Sequence, residues 1–283
     1  MKERHIQLYD MRFCLCEWGN PNHTPLLILH GWLDQAAGWN DVANILTQSN
    51  FYVLALDQRG HGRSDHISRN AYYHFPDYIA DVAHLQQALQ LPPFILLGHS
   101  MGSTIASQYA AVQADKVSQL VMIEGIGPLH EDPDKAFSRY KSHIVQRIAA
   151  RQHRPFLSID DGIRRFKKMH PYMSDTLAHW LVERMSSATE NGYIWRWDPR
   201  HKDLSATGFN LERYLFLLSQ IPTPTHVIFG NKSWYQQLPD LNKRIQTLAN
   251  IKTNVSIPGG HSLHYETPKL LAKTIVQCLQ ESV

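Results

Sequence analysis

The sequence of 283 residues predicts an α/β fold in which helices cover both faces of a mostly parallel central sheet. Short, continuous apolar runs recur along the chain and alternate with segments of helical periodicity, as expected for strands buried on both faces. Each run also ends in a cluster of polar residues and glycines. Because ligand sites of such sheets lie beyond the carboxyl ends of the strands, we expect the functional residues in these clusters.

The first predicted strands form a hairpin, because apolar and polar residues alternate over residues 6–8 and 11–18. The continuous apolar runs that follow are Leu26–Leu29, Tyr52–Leu56, Phe94–Leu97, Leu120–Ile123, Thr225–Phe229 and Asn254–Ile257. Apolar residues at helical spacing predict helices over Pro76–Leu91, Met101–Val112 and Pro268–Leu279.

The alternation of strands and helices breaks between about residues 129 and 217. This segment is rich in Arg, His, Met and Trp, and its apolar residues recur at helical spacing (Phe137, Tyr140, Ile144, Ile148). We interpret it as an inserted helical cap. The predicted organisation is therefore an α/β core over residues 1–128, a cap or lid over residues 129–217, and the rest of the core over residues 218–283.

Composition excludes several partners and predicts a compartment. The formal net charge of +3, from 28 basic and 25 acidic side chains, is too small to predict a nucleic-acid partner. The three cysteines, Cys14, Cys16 and Cys278, do not form a disulfide framework and favour a reducing compartment. No apolar signal core follows the N-terminus, and no apolar run is long enough to span a bilayer. We expect a cytoplasmic protein without membrane insertion.

A candidate nucleophile lies in residues 98–102, which read Gly-His-Ser-Met-Gly. This G-x-S-x-G motif follows the apolar run Phe94–Leu97 and precedes a helix of small residues, which is the context that a nucleophile turn requires. Such a turn holds Ser100 above the sheet, near a helix N-terminus that favours developing negative charge. The alternative is a glycine-flanked turn with no chemistry.

A serine hydroxyl is a weak nucleophile until a base removes its proton. Where a serine sits on such a turn, its histidine comes last in chain order. His261 follows the last predicted strand in a Gly-Gly-His sequence and is the candidate base, with His264 as the alternative.

An acyl-transfer site also needs backbone N–H groups that stabilise an oxyanion. Met101, directly after the candidate nucleophile, is expected to supply one of them. Trp32, after His30-Gly31 at the end of an early strand, is expected to supply the other and to line an acyl pocket. The alternative is that His30-Gly31 forms only a tight turn.

Four motifs stand in order along residues 26–268. They are His30-Gly31-Trp32, Asp57-Gln58-Arg59-Gly60-His61-Gly62-Arg63-Ser64, Gly98-His99-Ser100-Met101-Gly102, and Gly260-His261 followed by Glu266 and Pro268. Together they resemble the α/β-hydrolase fold superfamily. With residues 30–34 and 195–200, the chain looks most like its serine hydrolase-like subgroup of lid-bearing esterases. The resemblance implies a catalytic triad, and a structural role for the segment that begins at Asp57.

The chain departs from the family pattern at the triad acid. Many relatives carry an Asp after the strand that follows the cap, as Gly-x-x-Asp, whereas this chain has Ser233 at that position. Glu124 is the preferred substitute, because it ends the strand after the nucleophile helix, where some haloalkane dehalogenases of the superfamily place their acid. Asp240 is a second candidate, and a triad without an acid is the third possibility.

The resemblance implies a serine hydrolase of the carboxylic ester hydrolase type (EC 3.1.1), which cleaves an ester or related acyl bond through an acyl-enzyme on Ser100. It implies no metal and no cofactor. The expected partner is a small ester-type substrate with an apolar acyl group, because the cap is rich in aromatic residues (Phe156, Phe166, Tyr172, Trp180, Tyr193, Trp195, Trp197). The alternatives are a C–C bond hydrolase with the same triad, and a non-catalytic scaffold that binds a small apolar ligand.

Overall fold

The computed structural model describes residues 1–149 and 151–281, and every predicted strand is present in it. The strands are β1 (Lys2–Leu8), β2 (Met11–Trp18), β3 (Thr24–Leu29), β4 (Phe51–Leu56), β5 (Phe94–His99), β6 (Val117–Ile123), β7 (Ser186–Thr189), β8 (Gly192–Trp195), β9 (Thr225–Gly230) and β10 (Ile251–Ile257). Eight of them form one sheet in the order β1-β2-β4-β3-β5-β6-β9-β10. The contacts of β2 with β1 and with β4 are antiparallel and the others are parallel, which confirms the predicted fold class.

The helices cover both faces of this sheet. They are α1 (Asn40–Leu46), α2 (Phe75–Leu89), α3 (Met101–Val112), α4 (Ala136–Ala149), α5 (Ile159–Lys167), α6 (Asp175–Met185), α7 (Leu211–Ser219), α8 (Leu241–Thr247), α9 (Leu263–Glu266) and α10 (Pro268–Gln280). The second of them ends two residues earlier than predicted, because Gln90 adopts a left-handed conformation with φ 50° that terminates the helix. No helix among the described residues is both long and apolar enough to cross a bilayer.

The apolar runs are buried because their side chains alternate between two cores. In β3, Leu27 and Leu29 pack with Ile105 of α3 on one face of the sheet, whereas Leu26 and Ile28 pack on the other face with helices α1 and α10. The three cysteines are buried free thiols. Because strands β3 to β6, β9 and β10 pair in parallel, their carboxyl ends lie at one edge of the sheet.

The segment between β6 and β9 holds helices α4 to α7, as predicted, but also the antiparallel hairpin of β7 and β8, which the sequence analysis missed. Strands of four residues are too short to show an alternating pattern. A separate apolar cluster that includes Phe156, Phe166 and Trp197 packs the middle of this segment, with helices α5 and α6 and the hairpin. The predicted boundary at residue 217 falls inside α7, whose Tyr214 and Leu218 belong to the core of the sheet. The division into core and cap remains a prediction.

Helix α4 has the predicted apolar periodicity, but that face points to solvent. Phe137 is 82% exposed and Ile148 is 79% exposed, and Tyr140 and Ile144 are exposed as well. Helical spacing alone therefore predicted the element and not its burial, since periodicity identifies an apolar face without identifying what covers it.

Candidate active site

Ser100 lies on a strained turn between β5 and α3. Its backbone has φ 53° and ψ −116°, a conformation that residues with a side chain rarely adopt. Its N–H donates to the carbonyl of Ile123, at 2.9 Å, and its carbonyl accepts from the N–H groups of Ser103 and Thr104. Backbone strain of this kind persists where the surrounding structure enforces it, typically at functional sites.

Glycine is required at position 102 by close packing of the helix against the sheet. A Cβ atom on Gly102 would collide with the carbonyl oxygen of Leu29 in β3. Glycine is required at position 98 for the same reason, because a Cβ atom there would collide with the backbone of Gly102. The motif therefore fixes the height of the serine above the strand ends.

His261 reaches the serine from the loop after β10. Its Nε2 lies 3.0 Å from the Ser100 Oγ, so the hydroxyl can donate to the ring. The loop approaches through Gly259, whose φ of 140° disfavours any residue with a side chain. The carbonyl of His261 also accepts from His99 Nε2 at 2.8 Å, which links this loop to the nucleophile turn.

Glu124 accepts from the other nitrogen of the same ring. Its Oε2 lies 2.9 Å from His261 Nδ1, and its side chain is fully buried at the end of β6. Both carboxylate oxygens have a further donor, namely the Gly230 N–H and the Ser233 hydroxyl. Ser233, which stands where many relatives carry their acid, therefore donates to the acid on the neighbouring strand.

Neither alternative residue contacts this chain of hydrogen bonds. His264 pairs through Nε2 with Asp34 at 3.1 Å and stacks on Trp39, with ring centroids 4.6 Å apart. Asp240 pairs with the buried Arg244 at 2.8 Å. The structure thus brings Ser100, His261 and Glu124 together, and their catalytic roles remain predictions.

The two expected oxyanion donors flank the serine. Met101 is the first residue of α3, so its N–H has no carbonyl to bond within the helix. The N–H of Trp32 has no hydrogen-bond partner among the described residues. A Cβ on Gly31 would lie 3.4 Å from the Ser100 Cβ, which shows how closely this loop passes the nucleophile turn.

Comparison with known proteins decides the family. A family profile described as alpha/beta hydrolase fold matches residues 24–268. The chain belongs to the α/β-hydrolase family. It is 28% identical to a serine hydrolase-like protein of Danio rerio and 25% identical to serine hydrolase-like protein 2 of Homo sapiens, each over 93% of this chain and over 83% and 89% of the relative.

A solved structure supports the same assignment. The thioesterase domain from the curacin biosynthetic pathway superposes with a TM-score of 0.90 and is 29% identical, over 98% of this chain and 99% of that domain. The resemblance to the α/β-hydrolase superfamily and its serine hydrolase-like subgroup is confirmed, and these relatives support hydrolase activity.

Beneath the triad of this α/β-hydrolase lies a polar network that sequence reasoning missed. Asp34 accepts from His264 and, at 2.5 Å, from the Tyr265 hydroxyl. Burial raises the pKa of Asp34, but the interactions with His264, together with those of His30 and Tyr265, outweigh burial and lower that pKa overall. Burial lowers the pKa of His99 well below its usual value, so this ring is neutral beside His261. The residue that could have indicated this network in the sequence is Asp34, which follows His30-Gly31-Trp32-Leu33.

Two groups of described residues bring possible metal ligands together, namely Glu3, Cys14 and Cys16, and a second group within this network. Ligand atoms of Asp34, His99 and His264 lie within 4.8 Å of one another. Asp34 is already engaged by two donors, and His99 holds the His261 carbonyl. These contacts make the group a support for the loop that carries His261.

The serine opens into a cavity of about 990 Å³ between the sheet edge and the inserted segment. Its apolar walls are Trp32, Leu33, Phe166, Met169, Met185, Trp195, Trp197 and Trp234. Three of the predicted cap aromatics therefore face the serine, whereas Phe156 is buried in the cap cluster and Tyr172 is exposed. Such a wall suits an apolar acyl group.

Proposed function

We propose that the protein is a serine hydrolase that cleaves a carboxylic ester or a related acyl bond through an acyl-enzyme on Ser100. The observation that carries the proposal is the continuous hydrogen-bond path from the Ser100 hydroxyl through His261 to Glu124, with contacts of 3.0 and 2.9 Å. Relatives named as serine hydrolases and as a thioesterase support a reaction of this class.

In the first half of the reaction His261 Nε2 takes the proton of Ser100, whose Oγ attacks the acyl carbon. Glu124 accepts from Nδ1, which selects the tautomer with a free Nε2 and stabilises the imidazolium that forms. The N–H groups of Trp32 and Met101 stabilise the oxyanion. The bond to the leaving group then breaks, and His261 returns its proton to that group.

In the second half His261 removes a proton from water, which attacks the acyl-enzyme and releases the acid. Ser233 donates to Glu124 throughout, so that the carboxylate is held by three donors while the charge on the histidine changes. The apolar wall of the cavity provides the acyl subsite.

The test compares wild type with Ser100→Ala on short and medium p-nitrophenyl esters. We expect the variant to lose at least about 10³-fold in kcat, since the nucleophile is absent. Labelling by a fluorophosphonate, measured by intact mass, should add one adduct to wild type and none to the variant. Ser138→Ala is the control, because that serine is an exposed residue of α4. Turnover or labelling retained in Ser100→Ala would refute the proposal.

A further inference from the structure

A second cavity, of about 740 Å³, lies beside the catalytic one and is strongly basic. Its walls include the arginines Arg12, Arg63, Arg69, Arg151 and Arg196, the histidines His66 and His153, and a single carboxylate, Asp65. Arginine side chains gathered on one concave surface suit planar oxyanions, because the guanidinium donates two parallel hydrogen bonds.

Carboxylates near this cavity do not balance its charge. Arg12 pairs with Asp65 at 3.7 Å, and Arg151 pairs with Asp203 at 2.6 Å. Arg63 lies 2.7 Å from Glu3, but Glu3 also pairs with the buried Arg184, so that one carboxylate serves two guanidiniums.

Arg196 and Arg69 form no close ion pair with a carboxylate among the residues that the structure describes. Neither guanidinium has a carboxylate or a hydrogen-bond partner within residues 1–149 and 151–281, and the Arg196 Nε is also closed off from solvent. Burial, together with the charges of Arg63 and Arg184, lowers the pKa of the Arg196 side chain, although the charge of Glu3 offsets part of this effect. Only the Nε of the Arg196 guanidinium is closed off, whereas its two terminal nitrogens are not among the buried atoms and have no partner in the described part of the chain, so an anion in this cavity would accept from them.

Arg196 is held at this place by its backbone. Its N–H donates to the carbonyl of Met185 at 2.6 Å, and its carbonyl accepts from His66 Nε2 at 2.7 Å. The side chain is therefore anchored at the cavity wall by contacts that leave its guanidinium available.

The basic cavity adjoins the catalytic cavity. Both are lined by Arg151, Gln152, His153, Trp195 and Pro199. Trp195 and Arg196 are neighbours at the end of β8, so that the wall changes from aromatic to cationic within one step along the chain. A substrate with its acyl carbon at Ser100 can place its acyl chain against the aromatic wall and extend its other end toward Arg196.

We propose that the basic cavity binds a phosphate group on the leaving group of the substrate, which is then an acyl ester or thioester of a phosphorylated carrier. The phosphate is a recognition group that does not react. The bond that breaks joins the acyl carbon to the oxygen or sulfur of the carrier, which leaves with the proton from His261. The inference rests on the proposed function for its acyl step, although the cavity can be tested separately.

Calorimetric titration of Ser100→Ala tests the cavity without any reaction. The probes are coenzyme A and glycerol 3-phosphate, and their controls without phosphate are pantetheine and glycerol. We expect at least one phosphorylated probe to bind about tenfold or more tightly than its control, an advantage that Arg69→Gln and Arg196→Gln together abolish. Arg213→Gln, an exposed arginine on α7, should leave it unchanged. Equal affinity for phosphorylated and control probes would overturn the proposal.

Kinetics then identify the carrier. Wild type is compared on hexanoyl coenzyme A against hexanoyl pantetheine, and on 1-hexanoylglycerol 3-phosphate against 1-hexanoylglycerol. In at least one pair we expect kcat/KM to be about tenfold or more higher for the phosphorylated substrate, and the pair that shows the advantage distinguishes a thioester carrier from a glycerol ester. Arg69→Gln and Arg196→Gln together should lose that advantage, whereas Arg213→Gln should keep it.

The two proposals fail in different ways. Binding of a phosphorylated probe without hydrolysis of any substrate would refute the acyl-enzyme while supporting the cavity as a phosphate site. Hydrolysis of both members of each pair at equal kcat/KM would refute the phosphate site and leave the acyl-enzyme standing.

Discussion

The carboxyl ends of β5 and β6 and the inserted segment between β6 and β9 position their side chains in different ways. At the strand ends the backbone conformation positions the side chains, since Ser100 and Glu124 both adopt a positive φ, 53° and 52° respectively. In the inserted segment the side chains are positioned by packing against one another, as in the cluster around Phe156 and Trp197. Groups fixed by backbone geometry suit chemistry, which tolerates little displacement, whereas packed side chains suit a pocket whose shape can vary.

The largest effect after loss of the serine is expected at the acid. Glu124→Gln should lower kcat by about 10³- to 10⁴-fold, because the amide cannot stabilise the imidazolium and can hold the ring in the wrong tautomer. Steady-state kinetics on the p-nitrophenyl ester that wild type prefers would measure it.

Asp240→Asn is the matched control for that prediction. Its partner is Arg244, so the variant should keep kcat and lose some free energy of unfolding. A steeper loss of kcat in Asp240→Asn than in Glu124→Gln would reverse the assignment of the acid.

A smaller effect is expected at Ser233. Ser233→Ala removes one donor from a buried carboxylate, and we expect kcat to fall about tenfold, from a hydrogen bond to a charged group of roughly 1.5 kcal/mol. Measurement at several pH values separates this role from simple unfolding, because the acid limb of the kcat profile should shift when the carboxylate loses a donor. An unchanged profile with reduced stability would make Ser233 a purely structural residue.

Stability should decrease with acid through the buried histidines. Burial lowers the pKa of His170 to about 4 and that of His201 to about 3, below the usual value of 6.5. Between pH 6.5 and 4 the unfolded chain therefore binds more protons, so the free energy of unfolding falls as the pH is lowered, by up to about 1.4 kcal/mol per pH unit for each histidine.

Denaturant titrations at pH 7 and pH 5 test this slope. His170→Gln should flatten it, whereas His130→Gln, at an exposed position, should not. A slope that is the same in both variants and in wild type would show that these rings do not control acid stability.

The smallest effect on the rate constant is expected in the cap. Met169→Ala enlarges the apolar wall without touching the triad, so kcat on a short ester should change by less than about threefold while the preferred acyl chain lengthens. A profile of kcat/KM against acyl length measures the change. Loss of activity on all chain lengths would mean that this wall also positions the reacting groups.

The sheet and the position of Ser100 on a nucleophile turn could be predicted from the sequence because their signals lie within a few neighbouring residues. Continuous apolar runs identify central strands, and the nucleophile turn needs its glycines within two residues of Ser100. Glu124 could be proposed as the acid because it directly follows a predicted strand, and the carboxyl ends of such strands are expected to lie at the site. The donor role of Ser233 was not, since it depends on the contact between β6 and β9 across more than a hundred residues.

The cap was less predictable for the same physical reason. The hairpin of β7 and β8 is too short to show periodicity, and the solvent-facing apolar side of α4 shows that burial depends on tertiary partners. The basic cavity joins Arg63 and Arg196 from distant parts of the chain, so only the folded molecule reveals that Arg196 forms no close ion pair among the residues that the structure describes.

With Glu124 as the proposed acid directly after β6, the proposed nucleophile and acid lie in one continuous segment, residues 100–124, that ends before the inserted segment begins. His261 comes from outside this segment, on the loop after β10, and contacts both residues. The part of the inserted segment that precedes α7 can therefore be lengthened or reshaped without separating Ser100 from Glu124, whereas Tyr214 and Leu218 of α7 belong to the core of the sheet. In this chain the loop after β9 carries Ser233 in place of an acid, so substitutions in the inserted segment can change the cavity wall and leave the hydrogen bonds of Glu124 intact.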